Sequence, residues 1–189
     1  MELGIVIGSI RDARKGGAVG AWIQEQAAAR ATDGVAYRVI DLRDFAIPPF
    51  SDATHPMARG RVYDDPAVQA WSDALDAMDG YVFVTAEYNH GVPGAFKNAV
   101  DHLGPEFGEK TVAFVSYGAD GGVRATEQWR QILANFSMYD LRPAIALGIF
   151  TDFDGDDLAL LPRRAGELDG LLGTLERVTA ATAGLRASS

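Results

Sequence analysis

At 189 residues, with 48% apolar and 23% charged side chains, the chain is long enough for one domain with a buried core and too apolar to be disordered. The lack of cysteine excludes disulfides, thiolate metal sites and cysteine nucleophiles, and a net charge of −9 argues against a nucleic-acid partner, which demands a basic surface. No apolar run approaches the ~20 residues of a membrane helix and no basic stretch precedes the apolar start, so a soluble, cytoplasmic protein is expected.

Strand and helix signals alternate along the whole chain. The first apolar run, Leu3–Gly8, reads as a buried strand, and Val19, Trp22, Ile23 and Ala27 form a helical stripe after it. A second strand is expected at Ala36–Asp41. A long connection, Leu42 to Asp65, then leads to a helix marked by Val68, Trp71, Leu75 and Met78. The third strand, Tyr81–Thr85, precedes a stripe of Phe96, Val100 and Leu103. The fourth, Thr111–Ser116, precedes Val123, Trp129, Ile132, Leu133 and Phe136. The fifth, Ala144–Phe150, precedes a long stripe from Leu168 through Leu171, Leu172, Leu175 and Val178 to Leu185. All three tryptophans fall in stripes, so they are assigned to the core, and the small polar tail after Leu185 is expected to fray. Five strands and five helices in strict alternation, with continuously apolar strands covered on both faces, fit a doubly wound three-layer α/β sandwich: a single domain over 1–189 with a five-stranded parallel sheet of order 2-1-3-4-5. In that topology ligands bind at the carboxyl ends of the first and third strands, where the connections diverge.

The loops after those two strands carry the densest chemistry. The first reads Gly8-Ser9-Ile10-Arg11-Asp12-Ala13-Arg14-Lys15-Gly16-Gly17. A hydroxyl, a guanidinium and paired glycines at a helix start suit a phosphate, which wants converging N–H donors and a helix N-terminus. Neither the P-loop pattern nor G-x-G-x-x-G is present, and a plain solvated strand-to-helix loop is the competing reading. The third loop packs Glu87, Tyr88, Asn89 and His90 into consecutive positions, a mixture suited to a flat heterocycle with polar edges. Glu87 reads either as a general base or as a cap on backbone amides; His90 reads as a solvated loop residue, because His55 and His102 supply no ligand spacing.

Together these segments resemble the NADPH-dependent FMN reductase family of the flavodoxin-like superfamily. The resemblance rests on Gly-Ser-x-Arg after the first strand, on Glu-Tyr-Asn followed by Pro93-Gly94 and Lys97-Asn98-Ala99, and on Ser116-Tyr117-Gly118 with Gly121, Gly122 and Arg124. It covers most of residues 1–150. Ala86 stands where the family usually has proline and Gly91 where it often has serine; the missing proline removes a constraint on the loop that sets flavin position. The resemblance implies that Ser9, Arg11, Gly16, Gly17 and the adjoining backbone of Ala18 and Val19 hold the FMN phosphate. It implies further that Glu87, Tyr88 and Asn89 line the isoalloxazine, mostly through backbone groups, and that Tyr117 and Gly118 approach the ring from the fourth strand.

The implied activity is an FMN-dependent oxidoreductase that takes hydride from NADPH or NADH and passes electrons to free flavin, a quinone, an azo compound or a metal oxyanion, with ping-pong kinetics and no catalytic side chain. A flavodoxin-type electron carrier is the alternative. The resemblance also implies a homodimer or homotetramer whose 42–65 connection meets a second subunit near the flavin. The run Asp152 to Asp157 departs from an EF-hand at Asp157 and Arg163 and reads as a solvated acidic turn rather than a metal site.

Overall fold

Residues 1–186 are described in the computed structural model of the chain. Its strands obey a strict two-residue alternation. Along β1 (Glu2–Ile7), Leu3, Ile5 and Ile7 face one helical layer and Val6 the other. Val82 and Val84 of β3 (Gly80–Ala86) join the first layer; Tyr81 and Phe83 join the second. In β4 (Thr111–Gly118), Ala113, Val115 and Tyr117 oppose Val112 and Phe114 in the same way. Strands buried on both faces read as unbroken apolar runs for this reason.

All five strands are parallel, in the order β2-β1-β3-β4-β5, with β2 (Ala36–Asp41) and β5 (Tyr139–Gly148) at the edges. Helices α1 (Gly16–Arg30) and α5 (Arg164–Ala181) pack on one face. On the other lie α2 (Pro66–Asp76), α3 (Gly94–Asp101) and α4 (Val123–Ala134). Trp71 and Trp129 are fully buried and spend their indole N–H groups on the Ala99 carbonyl at 2.9 Å and Thr85 Oγ1 at 3.0 Å. The expected sheet order and layering are those observed.

Several expectations need correction. Trp22 is only half-buried, at the margin of the core. Val123 is exposed because it is the first residue of α4, and Leu185 is exposed because the chain breaks from α5 at Thr182 into a short α6 (Ala183–Arg186). The fifth strand begins at Tyr139 and stops at Gly148. Its first half alternates exposed and buried residues at the sheet edge, around Pro143 and a register shift beside Val112 and Phe114, so no apolar run announces it. Phe150 lies beyond the strand and is 81% exposed. Beyond Arg186, the tail lies outside the described residues.

The 42–65 connection holds two single 3₁₀ turns, Leu42–Asp44 and Pro56–Ala58, and is tied down by side chains. Asn98 accepts from Phe50 N and donates to the Pro48 carbonyl, both at 2.8 Å, and Tyr63 Oη donates to the buried Glu106 carboxylate at 2.7 Å. The acidic run after β5 is a hairpin, β6 (Phe153–Asp154) and β7 (Asp157–Leu158), turned by Gly155 at φ 59°. Asp152 is not solvated: it is fully buried, bonded by the Arg164 guanidinium at 2.8 and 2.9 Å and by the Gly148 amide at 3.0 Å. That partnership holds its carboxyl down to about 2.

Candidate functional site

The loops after β1, β3 and β4 meet around a cavity of about 520 Å³ at the carboxyl end of the sheet. Its first wall is Ser9 and the segment from Arg11 to Lys15, its second Ala86, Glu87 and Tyr88, and its third Tyr117, Gly118 and Ala119. Ile149 and Asp156 close it from beyond β5.

Sharp departure of the chain from β1 requires Gly8. Its amide donates to the Val84 carbonyl at 3.1 Å, while a Cβ there would lie 1.9 Å from Phe96 Cδ1. Ser9 follows, almost fully buried, and its hydroxyl meets the Tyr88 hydroxyl at 2.6 Å, joining the first loop to the third. Arg11 lies over the Tyr88 ring, 5.6 Å from its centroid.

The three cations of this loop have separate fates. Arg14 forms a two-pronged pair with Asp41 at the end of β2 and donates to the Ser9 carbonyl at 2.6 Å, so its charge is neutralised and it braces the loop. Lys15 reaches across to the hairpin, bonding the Gly155 carbonyl and Asp156 and lying 5.0 Å from the Phe153 ring centroid. Arg11 is exposed and forms no ion pair with a carboxylate of the described residues. The anion-attracting charge of the loop therefore comes from Arg11 and from the N-terminus of α1, where Lys15 supplies no side-chain cap.

Of the residues expected to hold a phosphate, Ser9 and Arg11 line the cavity. Gly16 is buried behind it, where a Cβ would come within 2.8 Å of Tyr117 Oη, and Gly17 and Ala18 are half-buried in the first turn of α1. Val19 is not brought to the cavity: its side chain is in the core and its amide is spent on the Lys15 carbonyl at 3.1 Å. Tyr117 sets its hydroxyl beside Gly16 at the start of α1, the end of the cavity where a phosphate is expected. That hydroxyl is buried without a hydrogen bond of good geometry, with Ser9 and the Gly16 backbone as its polar neighbours; burial outweighs them and pushes its pKa up to about 12, so it stays a proton donor at neutral pH.

At the other end, Tyr88 and Gly91 exchange two backbone hydrogen bonds of 3.0 Å around a two-residue turn. Its central residues, Asn89 and His90, both have positive φ, 49° and 65°, the type I′ pattern that non-glycine side chains adopt at a cost. Both are exposed, and Asn89 stands beyond the cavity wall rather than on it. Glu87 sends its backbone amide to the Tyr117 carbonyl at 3.1 Å, while its side chain turns away to α4. The cap reading of Glu87 is thus the one its geometry bears out. Residue reasoning passed over Arg14 as a brace, Ala119, Ile149 and Asp156; the last two come from a segment whose strand ends earlier than its apolar pattern.

A family model described as NADPH-dependent FMN reductase matches residues 1–152. The chain is 33% identical over 134 residues to the NAD(P)H-dependent FMN reductase ntnL of a Nectria species, a span of 70% of this chain and 67% of that one. It is 33% identical over 145 residues to the NAD(P)H-dependent FMN reductase LOT6 of Saccharomyces cerevisiae, spanning 73% and 76%. Among solved structures, FerB of Paracoccus denitrificans, described as a flavoenzyme NAD(P)H:(acceptor) oxidoreductase, superposes with a TM-score of 0.73 over 96% of this chain and 98% of that one. At 16% identity this likeness speaks for the fold.

Proposed function

This chain belongs to the NADPH-dependent FMN reductase family, and we propose that the cavity at the carboxyl end of its sheet is the FMN site of an NAD(P)H-dependent oxidoreductase. The observation that carries the reading is the meeting of the Ser9–Lys15 loop, with its unpaired Arg11, and the Ala86–Tyr88 and Tyr117–Ala119 segments around one cavity of about 520 Å³. FMN, when bound, supplies the redox chemistry, accepting hydride from NADPH or NADH and passing electrons to an acceptor.

The donor set fits that group. Ser9, the Arg11 guanidinium and the first-turn amides of α1 suit the phosphate. The buried Tyr117 hydroxyl supports the same end, since it lacks a hydrogen bond of good geometry among the described residues and a phosphate oxygen would accept one. Around the ring, the backbone of Ala86 to Tyr88 and of Gly118 and Ala119, which lines the cavity, would supply the polar edge contacts. Glu87 and Asn89 serve through backbone position. With Asn89 and His90 exposed, nicotinamide and acceptor can use the open side in turn, in keeping with ping-pong kinetics.

The acceptor class is free flavin, a quinone, an azo compound or a metal oxyanion. Among the described residues no helix is long and apolar enough to cross a membrane, and we assign the reaction to the cytoplasm. The whole chain acts as one domain, because α5 completes the core on the α1 face. Exposed Phe50, Met57 and Val62 on the 42–65 connection support a homo-oligomer, dimer or tetramer, meeting there.

The test is to load the protein with FMN, remove the excess, and record visible spectra anaerobically before and after NADPH and NADH. Bleaching of a retained flavin band is expected. A retained flavin that stays oxidised with both nucleotides would overturn the reductase reading in favour of an electron carrier.

A further inference from the structure

Helix α4 begins without a cap of its own. Its N-cap is Gly122, in left-handed conformation at φ 77° and without a side chain, preceded by Gly121 at the same φ. The first-turn amides would be left without acceptors. Glu87, from a different loop, supplies one: its Oε2 accepts from Arg124 N at 2.9 Å and from Ala125 N at 3.4 Å, the second and third helical positions. An N-cap side chain bonds those same two positions. Oε1 pairs with the Arg124 guanidinium at 2.8 Å, and the Glu87 side chain is only 8% exposed.

One turn further along α4, Gln128 grips the same loop from its other end. Its amide nitrogen donates to the His90 carbonyl at 3.0 Å, and its amide oxygen accepts from Val92 N at 3.1 Å. Tyr88 to Gly91, the turn with two left-handed residues, is thus tied to a single rigid helix before it through Glu87, within it at the His90 carbonyl and just after it at Val92 N. This matters because Ala86 leaves the loop without a proline to stiffen it; side chains tied to α4 do the stiffening instead.

We propose that Glu87 and Gln128 are positioning residues that fix the Tyr88–Gly91 turn against α4, and so set where the Ala86–Tyr88 wall meets the flavin ring. This rests on the FMN reading of the cavity. Glu87 is then neither an acid–base catalyst nor a ring contact through its carboxylate.

The test compares wild type, Glu87→Ala, Glu87→Gln and Gln128→Ala as full-length chains. Amide exchange without FMN reports the clamp; fluorescence quenching of FMN and the visible spectrum of the bound flavin report the site. Glu87→Ala is expected to speed exchange at Arg124 and Ala125 and to weaken FMN binding by about tenfold, with Glu87→Gln restoring most of both. Gln128 is exposed, so its alanine variant keeps the wild-type melting temperature; exchange at Val92 quickens and the flavin band shifts. Wild-type affinity and spectrum in both alanine variants would overturn the inference, as would unchanged exchange. Glu87→Gln no better than Glu87→Ala would also overturn it, because the charge itself would then be required. Failure of the cofactor reading looks different: the wild type itself would bind no FMN.

Discussion

Adding one methyl group at Gly8 should damage both the core and the cavity. A Cβ there would lie 1.9 Å from Phe96 Cδ1, 2.4 Å from Cγ and 2.5 Å from Cε1. Carbon contacts settle at about 3.5–4.0 Å, so ring or strand must give way by well over ~1 Å. The ring has nowhere to go: Phe96 is fully buried, with its centroid 4.9 Å from that of Phe83 and 4.7 Å from that of Trp129. The strand end is no freer, since Gly8 N closes the last hydrogen bond from β1 to β3. Overpacking of this kind costs about 2–3 kcal/mol, which in a domain of this size lowers the melting temperature by roughly 4–12 °C. Phe96→Ala alone should cost about 3–5 kcal/mol through the cavity it leaves. Because that cavity removes the clash, Gly8→Ala with Phe96→Ala should be no less stable than Phe96→Ala, a coupling of about 2 kcal/mol. Urea melts of the four proteins decide it. A Gly8→Ala loss under ~0.5 kcal/mol, or additive losses in the double variant, would refute the reasoning.

Three further substitutions probe groups away from that contact. Lys110 is buried against the Leu75 and Asp76 carbonyls, and burial pushes its pKa down from 10.5 to about 8. The unfolded chain therefore binds more protons between those values, so this lysine's contribution to stability rises with pH across that window. The stability of wild type relative to Lys110→Met should climb by up to about 3 kcal/mol between pH 7 and 10, measured by urea unfolding; a flat difference would refute it. Thr179→Val should be neutral or stabilising by up to ~1 kcal/mol in thermal melts, because the buried Thr179 hydroxyl has no partner. His90→Gly should raise stability by about 0.5–1 kcal/mol, since glycine suits the second left-handed position of the Tyr88–Gly91 turn; a lower melting temperature would show that the His90 side chain contributes more than its backbone strain costs.

The central sheet was legible because burial on both faces leaves an unmistakable trace. Tyr81 to Thr85 cannot alternate with polar residues when each side chain enters one helical layer or the other. Edge strands leave a fainter one: Tyr139 to Arg142 is half-exposed, and only the strand pairing reveals it as the start of β5. Side chains at the ends of helices are similarly opaque. Val123 matches the apolar spacing of α4 yet faces solvent, because periodicity does not tell where a helix begins.

Charge pairing is where local sequence carries least. Arg11, Arg14 and Lys15 look alike in the sequence, but Arg14 finds its partner in β2 and Lys15 in the hairpin beyond β5, 27 and 140 or more residues away. Asp152 likewise looks like one acid among several in an exposed run. Its distinction is Arg164, twelve positions on, which bonds it and also donates to the Ala146 carbonyl at 2.7 Å. That many donors keep the carboxylate ionised against the desolvation that burial imposes on it. The consequence reaches the candidate site: Asp152 fixes the end of β5, the hairpin that follows carries Asp156, and Asp156 meets Lys15 at the start of α1. The first loop is thereby held from the Asp41 side by Arg14 and from the hairpin side by Lys15, which leaves Arg11 as the member of the trio available to an incoming anion.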